Sequence, residues 1–179
     1  MRAYYFDNIP GDQRLPHGDP SKSIPLEQLQ KLGVNHWYIP VEGHEGPIDA
    51  VAKERGYKNR DMITVSREGL GELYEDKMKT FFHEHMHEDE EIRYVLSGSG
   101  FFDIRETPSE AWIRVAVAPG DLLVVPAGIY HRFTLDEADD IKVMRLFQDE
   151  PKWVPHNRGV DTDANPHRAE YLRAISLSA

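Results

Sequence analysis

The chain has 179 residues, of which 40% are hydrophobic and 29% are charged, a composition typical of a globular protein with a core of its own. Its 31 acidic residues outnumber its 21 lysines and arginines, and the net charge of −10 argues against nucleic acids and anionic membranes as partners. There is no cysteine, which excludes disulfides and thiolate ligands.

The first half of the chain predicts short strands and helices that alternate with turn-forming residues. The polar stretch over residues 7–22 contains three prolines and two glycines, so it should wrap around the domain as a loop. Strands are predicted over Ala3–Phe6, Val34–Ile39 and Met62–Val65. Helices are predicted from Ser23-Ile24-Pro25 through Lys31, over Pro47–Arg55, and from Glu72 to about Phe82.

The second half predicts β-structure almost throughout. Short apolar segments are separated by turn signals about every ten residues, a pattern typical of a sandwich or barrel. The predicted strands are Ile92–Leu96, Phe101–Arg105, Trp112–Ala116, Leu122–Val125, Arg132–Leu135 and Lys142–Phe147. The tail from Glu150 to Gly159 is expected to be irregular, and Arg168–Ser176 is expected to form a closing helix.

The stretch from His83 to Tyr94 concentrates three histidines and five carboxylates within twelve residues. Neutral nitrogens combined with an anionic oxygen are what a transition-metal site requires. Side chains two residues apart share one face of an extended segment. A strand, or a strand followed by a bend, would therefore direct four side chains into one cavity: His85, His87, Glu91 and Arg93. His83 is expected at the end of the preceding helix, outside the metal site.

A second stretch, Gly120–His131, supplies the other half of this predicted site. A strand over Leu122–Val125 leads into a Pro-x-Gly turn, in which proline fixes φ and glycine permits positive φ. The turn reverses the chain, so that His131 at the start of the next apolar segment can face the same interior as the first cluster.

Two short patterns resemble the two motifs of the cupin family. The first is His-x-His-x-x-x-Glu over residues 85–91, followed after six residues by Gly98. The second is Gly-x5-Pro-x-Gly-x-x-His over residues 120–131. Lys79 and Leu135 replace a glycine and an asparagine that are usual in cupins, but these positions shape strand edges and leave the ligands intact.

The cupin resemblance implies a mainly β fold, a jelly-roll barrel with a few peripheral α-helices. A single domain would span residues 1–179, with the metal-binding barrel core over about residues 83–148. An N-terminal wrapping segment and a C-terminal helix would complete it.

Longer stretches resemble the acireductone dioxygenase family over nearly the whole chain. They are PGDQRLPH, FFHEHMHEDEEIRYVLSGSGFFDIR, WIRVAVAPGDLLVVPAGIYHRFTL and KVMRLFQDEPKW. The resemblance implies a dioxygenase of methionine salvage that acts on 1,2-dihydroxy-3-keto-5-(methylthio)pentene and O2. With Fe(II) the implied products are 4-methylthio-2-oxobutanoate and formate. With Ni(II) they are 3-methylthiopropionate, formate and carbon monoxide.

The metal ligands predicted from spacing and motifs together are His85, His87, Glu91 and His131. They would hold one Fe(II) or Ni(II) ion per chain and leave two adjacent positions for a chelating substrate. Other histidines are expected to be structural or exposed.

Around this centre, Arg93 and Glu90 are candidate catalytic residues. Arg93 would neutralise a substrate oxyanion, although a structural pair with a carboxylate such as Glu91 is an alternative. Glu90 would support proton transfer, although it also fits a solvated bend. The candidate substrate-binding residues are Arg145, Phe81, Phe133 and Trp153, for which the alternative is an ordinary core.

Two other functions remain open: another cupin dioxygenase or isomerase that acts on a chelating enediol, and a non-catalytic metal-binding module. The expected partners are a small enediol and O2, with no nucleic acid and no membrane, and the expected state is a monomer. No signal peptide or membrane segment is predicted, so the cytoplasm is the expected location, with the nucleus open to a protein of this size.

Overall fold

Eleven strands and six α-helices lie within residues 1–152 and 154–176, which the computed structural model describes. The strands are β1 (Arg2–Tyr5), β2 (Asn35–Tyr38), β3 (Asn59–Ser66), β4 (His85–Met86), β5 (Glu91–Gly98), β6 (Gly100–Arg105), β7 (Trp112–Val117), β8 (Asp121–Val125), β9 (His131–Leu135), β10 (Asp140–Phe147) and β11 (His156–Asn157). The helices are α1 (Leu26–Lys31), α2 (Glu45–Arg55), α3 (Arg67–Leu70), α4 (Tyr74–Phe82), α5 (Val160–Asp163) and α6 (Pro166–Ser176).

The strands form two antiparallel sheets that pack face to face. The order is β1-β7-β6-β9-β4-β11 in the six-stranded sheet and β2-β8-β5-β10-β3 in the five-stranded sheet. Inward-facing residues of both sheets, among them Ile113 and Val115 from one and Val95 and Leu123 from the other, form the main apolar core. The arrangement is the jelly roll expected from the sequence, and the mainly β class is confirmed.

The five-stranded sheet is covered on both faces at β8. Its outer face packs against α2, where Ile48 and Ala52 contact a second cluster that includes Ile92 and Leu122. All five residues of β8 are consequently buried. This double burial explains why Leu122–Val125 of β8 is a continuous apolar run and lacks the polar alternation of a half-exposed strand.

The pairing of β5 with β10 contains an irregularity that matters for the site. Lys142 lies opposite Ser97, whereas the next residue, Val143, lies opposite Val95, so Leu96 is an extra residue in β5. The pairing that follows places Arg145 directly opposite Arg93. The two arginines therefore share one face of the sheet.

The N-terminal segment is held against the six-stranded sheet by Arg114, which is fully buried. Arg114 forms an ion pair with buried Asp103 at 2.7 Å and donates to the carbonyl oxygens of Gln13 and Leu15 at 3.1 and 2.6 Å. Beyond these contacts, Arg14 donates to Asp139 at 2.7 Å. The segment is thus held against the sheet by a buried cation and a half-buried ion pair.

Several predicted boundaries differ from the structure. The strand predicted over Met62–Val65 runs over Asn59–Ser66, because it pairs along its whole length with β10. The tail predicted to be irregular contains β11, whose two residues pair with β4. The closing helix begins at Pro166, where the missing amide of proline costs no helical hydrogen bond. In the part of the chain that the structure describes, no helix is long and apolar enough to cross a membrane.

Candidate metal centre and its cavity

Four polar side chains converge at one end of the jelly roll. One nitrogen or oxygen from each of His85, His87, Glu91 and His131 lies within 4.8 Å of the others. The Nε2 atoms of His131 and His87 approach the same Glu91 oxygen, Oε2, at 3.0 and 3.1 Å. The four residues predicted as ligands are therefore brought together around one point.

The four side chains come from both sheets. His85 on β4 pairs directly with His131 on β9 in the six-stranded sheet. Glu91 is the first residue of β5 in the five-stranded sheet. His87 lies in the connection between β4 and β5. The bend over residues 87–90 carries the chain from one sheet to the other, so the second of the two expected geometries, a strand followed by a bend, is the one observed.

Backbone carbonyl groups orient all three imidazoles. Nδ1 of His85 lies 2.6 Å from the oxygen of His83, Nδ1 of His87 lies 3.1 Å from that of Val154, and Nδ1 of His131 lies 3.1 Å from that of Ile129. A carbonyl oxygen only accepts, so in each ring the proton belongs on Nδ1. In the neutral form of each ring, the Nε2 lone pair is then available to a metal ion, for His87 and His131 in place of the contact with Glu91.

The protonation states of His85 and Glu91 also suit a cation. Burial, together with neighbouring His131, lowers the pKa of His85 to about 3, so this imidazole is neutral at neutral pH. Burial alone would raise the pKa of Glu91, but Arg93 and the hydrogen bonds from His131 and His87 outweigh it and hold the pKa well below its ordinary value. Burial would lower the pKa of His87, but its hydrogen bond with Glu91 outweighs burial and raises it. His85 is thus a neutral nitrogen donor and Glu91 an ionised oxygen donor, whereas a bound ion would have to displace the proton that Nε2 of His87 shares with Glu91.

The four side chains open onto a cavity of about 750 Å³. One wall is aromatic: the ring centroids of Phe81 and Phe133 are 6.2 Å apart, and those of Phe133 and Phe102 are 4.9 Å apart. Phe81 and Phe133, two of the three aromatic residues predicted to bind substrate, therefore line the cavity. Trp153, the third one predicted, lies outside the described residues.

The opposite wall carries the arginine pair. Nη2 of Arg93 lies 3.4 Å from Glu91, and its Nη1 donates to the Ile92 carbonyl at 3.0 Å. Burial lowers the pKa of Arg93, and the Glu91 carboxylate opposes that effect. Arg145 donates through Nε and Nη2 to the two oxygens of Asp61, at 2.8 and 2.5 Å. Both predicted arginines therefore line the cavity, and each also has a carboxylate partner.

Asp61 lies one residue before the strand predicted from the sequence, so it is not among the predicted site residues. Its alternation with Ile63 and Val65, which line the cavity, was the available signal. The Arg145 guanidinium holds the pKa of Asp61 below its ordinary value despite partial burial. Asp61 is thus an anion that fixes one of the two cavity arginines.

Glu90, a predicted catalytic residue, lines the cavity and has two hydrogen-bond donors near the end of α2. One carboxylate oxygen accepts from Nη2 of Arg55 and the other from the hydroxyl of Tyr57, both at 2.9 Å. These contacts tie the bend before β5 to the end of α2. His83 is exposed and caps the end of α4, as expected.

A jelly roll that gathers three imidazoles and one carboxylate at the mouth of an inner cavity has the arrangement of the metal-binding cupins. The family model described as "ARD/ARD' family" matches residues 2–155 of this chain. The chain belongs to that family.

Named relatives agree with this assignment. The chain is 64% identical over 179 residues to acireductone dioxygenase 1 of Coprinopsis cinerea, with 100% of both chains covered. It is 52% identical over 176 residues to acireductone dioxygenase of Aspergillus fumigatus, covering 98% of this chain and 97% of that one. Among solved structures, it resembles acireductone dioxygenase from Bacillus anthracis with a cadmium ion in its active centre. The TM-score is 0.62 and the identity 27%, covering 72% of this chain and 86% of that chain. The cupin fold is confirmed.

Proposed function

We propose that this protein is a metal-dependent dioxygenase that cleaves 1,2-dihydroxy-3-keto-5-(methylthio)pentene, an acireductone, with O2. The observation that carries the proposal is the convergence of His85, His87, Glu91 and His131 on a cavity with one aromatic and one cationic wall. Membership of the family and the names of its relatives support the same reaction. The proposed place of this reaction is methionine salvage.

The four donors fit Fe(II) or Ni(II), one ion per chain. They comprise three imidazole nitrogens and one carboxylate oxygen within 4.8 Å of one another, with no thiolate that would select a softer ion. When bound, either ion would supply a Lewis acid and a template for a substrate with neighbouring oxygens. Glu91 would offset part of the ion's charge, and the three backbone carbonyls would keep the imidazoles in the required tautomer.

The remaining residues of the cavity act on the organic substrate. The enediolate is anionic, so Arg93 would stabilise its charge from the wall beside Glu91. Arg145 would add a second positive charge, held in place by Asp61. Phe81 and Phe133 would receive the thioether tail and exclude water from the reacting carbons. Glu90 is proposed to assist proton transfer, with Arg55 and Tyr57 as its hydrogen-bond donors.

The proposed products depend on the ion. The iron form would give 4-methylthio-2-oxobutanoate and formate, and the nickel form 3-methylthiopropionate, formate and carbon monoxide. The test is to strip the protein, reload it anaerobically with Fe(II) or Ni(II), supply acireductone and O2, and identify the products. Identical products from both ions would contradict the dependence on metal. Oxygen uptake with neither ion would contradict the enzyme assignment.

A panel of alanine variants tests the ligand set. Replacement of any one proposed ligand should strongly reduce bound metal, measured by elemental analysis of folded protein. His83→Ala is the matched control, because His83 is a histidine of the same stretch that is exposed outside the cluster. Loss of metal from the control with retention in a ligand variant would overturn the assignment. The four ligand positions to be changed are His85, His87, Glu91 and His131.

A further inference from the structure

The C-terminal part of the chain contacts every segment that carries a proposed histidine ligand. We call Val154–Tyr171 the C-terminal brace; only its first two residues fall within the match to the family model, which covers residues 2–155. The Val154 carbonyl orients His87 at 3.1 Å. Asn157 on β11 pairs with His85 on β4. The third contact is made by α6, on the turn that precedes His131.

Gly128 is the point at which α6 meets this turn. Its carbonyl oxygen accepts a hydrogen bond from Nη1 of Arg168 at 3.0 Å. Its amide donates to the carbonyl of His87 at 2.9 Å. The next residue, Ile129, provides the carbonyl that orients the ring of His131. One residue therefore links α6 to the segments of two proposed ligands.

Arg168 is an unusual residue to find at this position. It is 6% exposed, and its guanidinium lies over the rings of Tyr130 and Tyr171, at 4.6 and 5.5 Å from their centroids. Within the described residues, no carboxylate lies within 4.0 Å of it. A buried cation without an anionic partner carries a desolvation cost that an apolar side chain of similar length would avoid. Global stability is thus a poor reason for an arginine here, and orientation of the turn is a better one.

The residue before His131 is held by the same segment. Tyr130 is fully buried, and its hydroxyl donates to Asp163 of α5 at 2.5 Å. The guanidinium of Arg168 lies over the ring of the same tyrosine, 4.6 Å from its centroid. The turn from Gly128 to His131 is therefore fixed at two of its four residues by the brace.

We propose that Arg168 is a positioning residue of the metal centre. It holds the carbonyl of Gly128, and through that residue it sets the backbone from which His131 and His87 reach the ion. The inference rests on the proposed function, because it requires a metal at the four-residue cluster. It adds to that function a residue of α6 that touches neither the ion nor the substrate.

The test compares metal affinity with the stability of the metal-free protein. Arg168→Met keeps the length of the side chain and removes its donors, and Arg168→Gln keeps a shorter neutral donor. Tyr171→Phe is the matched control: it lies on the same helix and removes one buried hydrogen bond, from its hydroxyl to the Leu32 carbonyl at 3.0 Å, away from the metal. Each protein is titrated with Ni(II) alone against a competing chelator, and unfolded in urea without metal.

We expect Arg168→Met to raise the Ni(II) dissociation constant about tenfold or more, as for other residues that orient ligands indirectly. At saturating Ni(II), its ligand-field absorption should also shift. Arg168→Gln should bind with intermediate affinity, and it carries the test if the methionine variant does not fold. Tyr171→Phe should lose stability while keeping the wild-type affinity and spectrum.

The outcomes separate this inference from the proposed function. Wild-type affinity and spectrum in whichever Arg168 variant folds would overturn the positioning role, even if the wild-type enzyme is active. An equal loss of affinity in Tyr171→Phe would also overturn it, because a general weakening of α6 would then explain the effect. Failure of the wild-type protein to bind Ni(II) would instead contradict the proposed metal centre.

Discussion

Replacement of Gly128 by alanine should be far more damaging than the same change at Gly43. The two glycines have similar left-handed conformations, with φ of +79° and +74°. A Cβ atom added at Gly43 would meet nothing within 4 Å. A Cβ atom at Gly128 would lie 2.4 Å from the carbonyl oxygen of His167 and 2.8 Å from Cβ of Tyr171. The pair therefore separates backbone strain from contact with α6.

The expected magnitudes follow from these distances. Left-handed strain costs an alanine about 1–2 kcal/mol at either position. At Gly128, ordinary van der Waals distance begins at 3.4 Å, so the turn and α6 must separate by about 1 Å. That shift breaks the hydrogen bond from Arg168, a loss of about 1.5–3 kcal/mol for a charged donor. Gly128→Ala should therefore destabilise the protein by about 2.5–5 kcal/mol.

Urea unfolding of the two metal-free variants measures this difference, provided that the slope of the transition is unchanged. Ni(II) affinity should fall in Gly128→Ala and stay at the wild-type value in Gly43→Ala. Equal losses of unfolding free energy would refute the reasoning, because they would show that α6 does not press on the turn.

Three further changes test other parts of the structure. Arg93→Leu should retain metal but lower kcat/KM about ten- to a hundredfold, for the loss of one charge-assisted contact of about 1.5–3 kcal/mol; normal kinetics in the loaded variant would remove its role. Glu90→Gln should lower kcat about a hundredfold if Glu90 transfers protons. A variant that loses stability but keeps the wild-type kcat would show that Glu90 has only a structural role, through its hydrogen bonds with Arg55 and Tyr57. Asp139→Asn tests pH dependence: burial would raise the pKa of Asp139, but Tyr74 and Arg14 outweigh it and lower the pKa below 3.8. The ionised carboxylate stabilises the protein above that pH and loses its effect as the pH falls further, so the urea midpoints of variant and wild type should converge in acid.

The proposed ligands could be predicted from the sequence because their signals are local. His85, His87 and Glu91 lie within seven residues, and the Pro-x-Gly sequence predicts the chain reversal before His131. Short apolar runs between turn signals likewise predicted most strands of the jelly roll. Ligand spacing, turns and short strands can be predicted because each depends on residues that are close together in the sequence.

Other parts of the site depend on pairing between distant segments. The sequence does not reveal that His85 and Glu91 belong to different sheets, nor that β11 adds to β4. The sequence also does not show that Leu96 is an extra residue in β5, which aligns Arg93 with Arg145. Strand register is set by the pairing and burial of the whole sheet. The role proposed for Arg168 could not be predicted from a sequence motif. Its hydrogen-bond partner is the backbone carbonyl of Gly128, about forty residues away, and every residue has a backbone carbonyl.

The origin of the proposed ligands in both sheets has a thermodynamic consequence. An ion bound there would join β4 and β9 to β5 and act as a cross-link at the end of the sandwich. Affinity for the ion and the closeness of the two sheets would then be linked, so each would strengthen the other by the same free energy. Core substitutions between the sheets, at positions such as Val115 or Leu123, would weaken metal binding without touching a ligand. Amide hydrogen exchange at this end would slow when the ion binds.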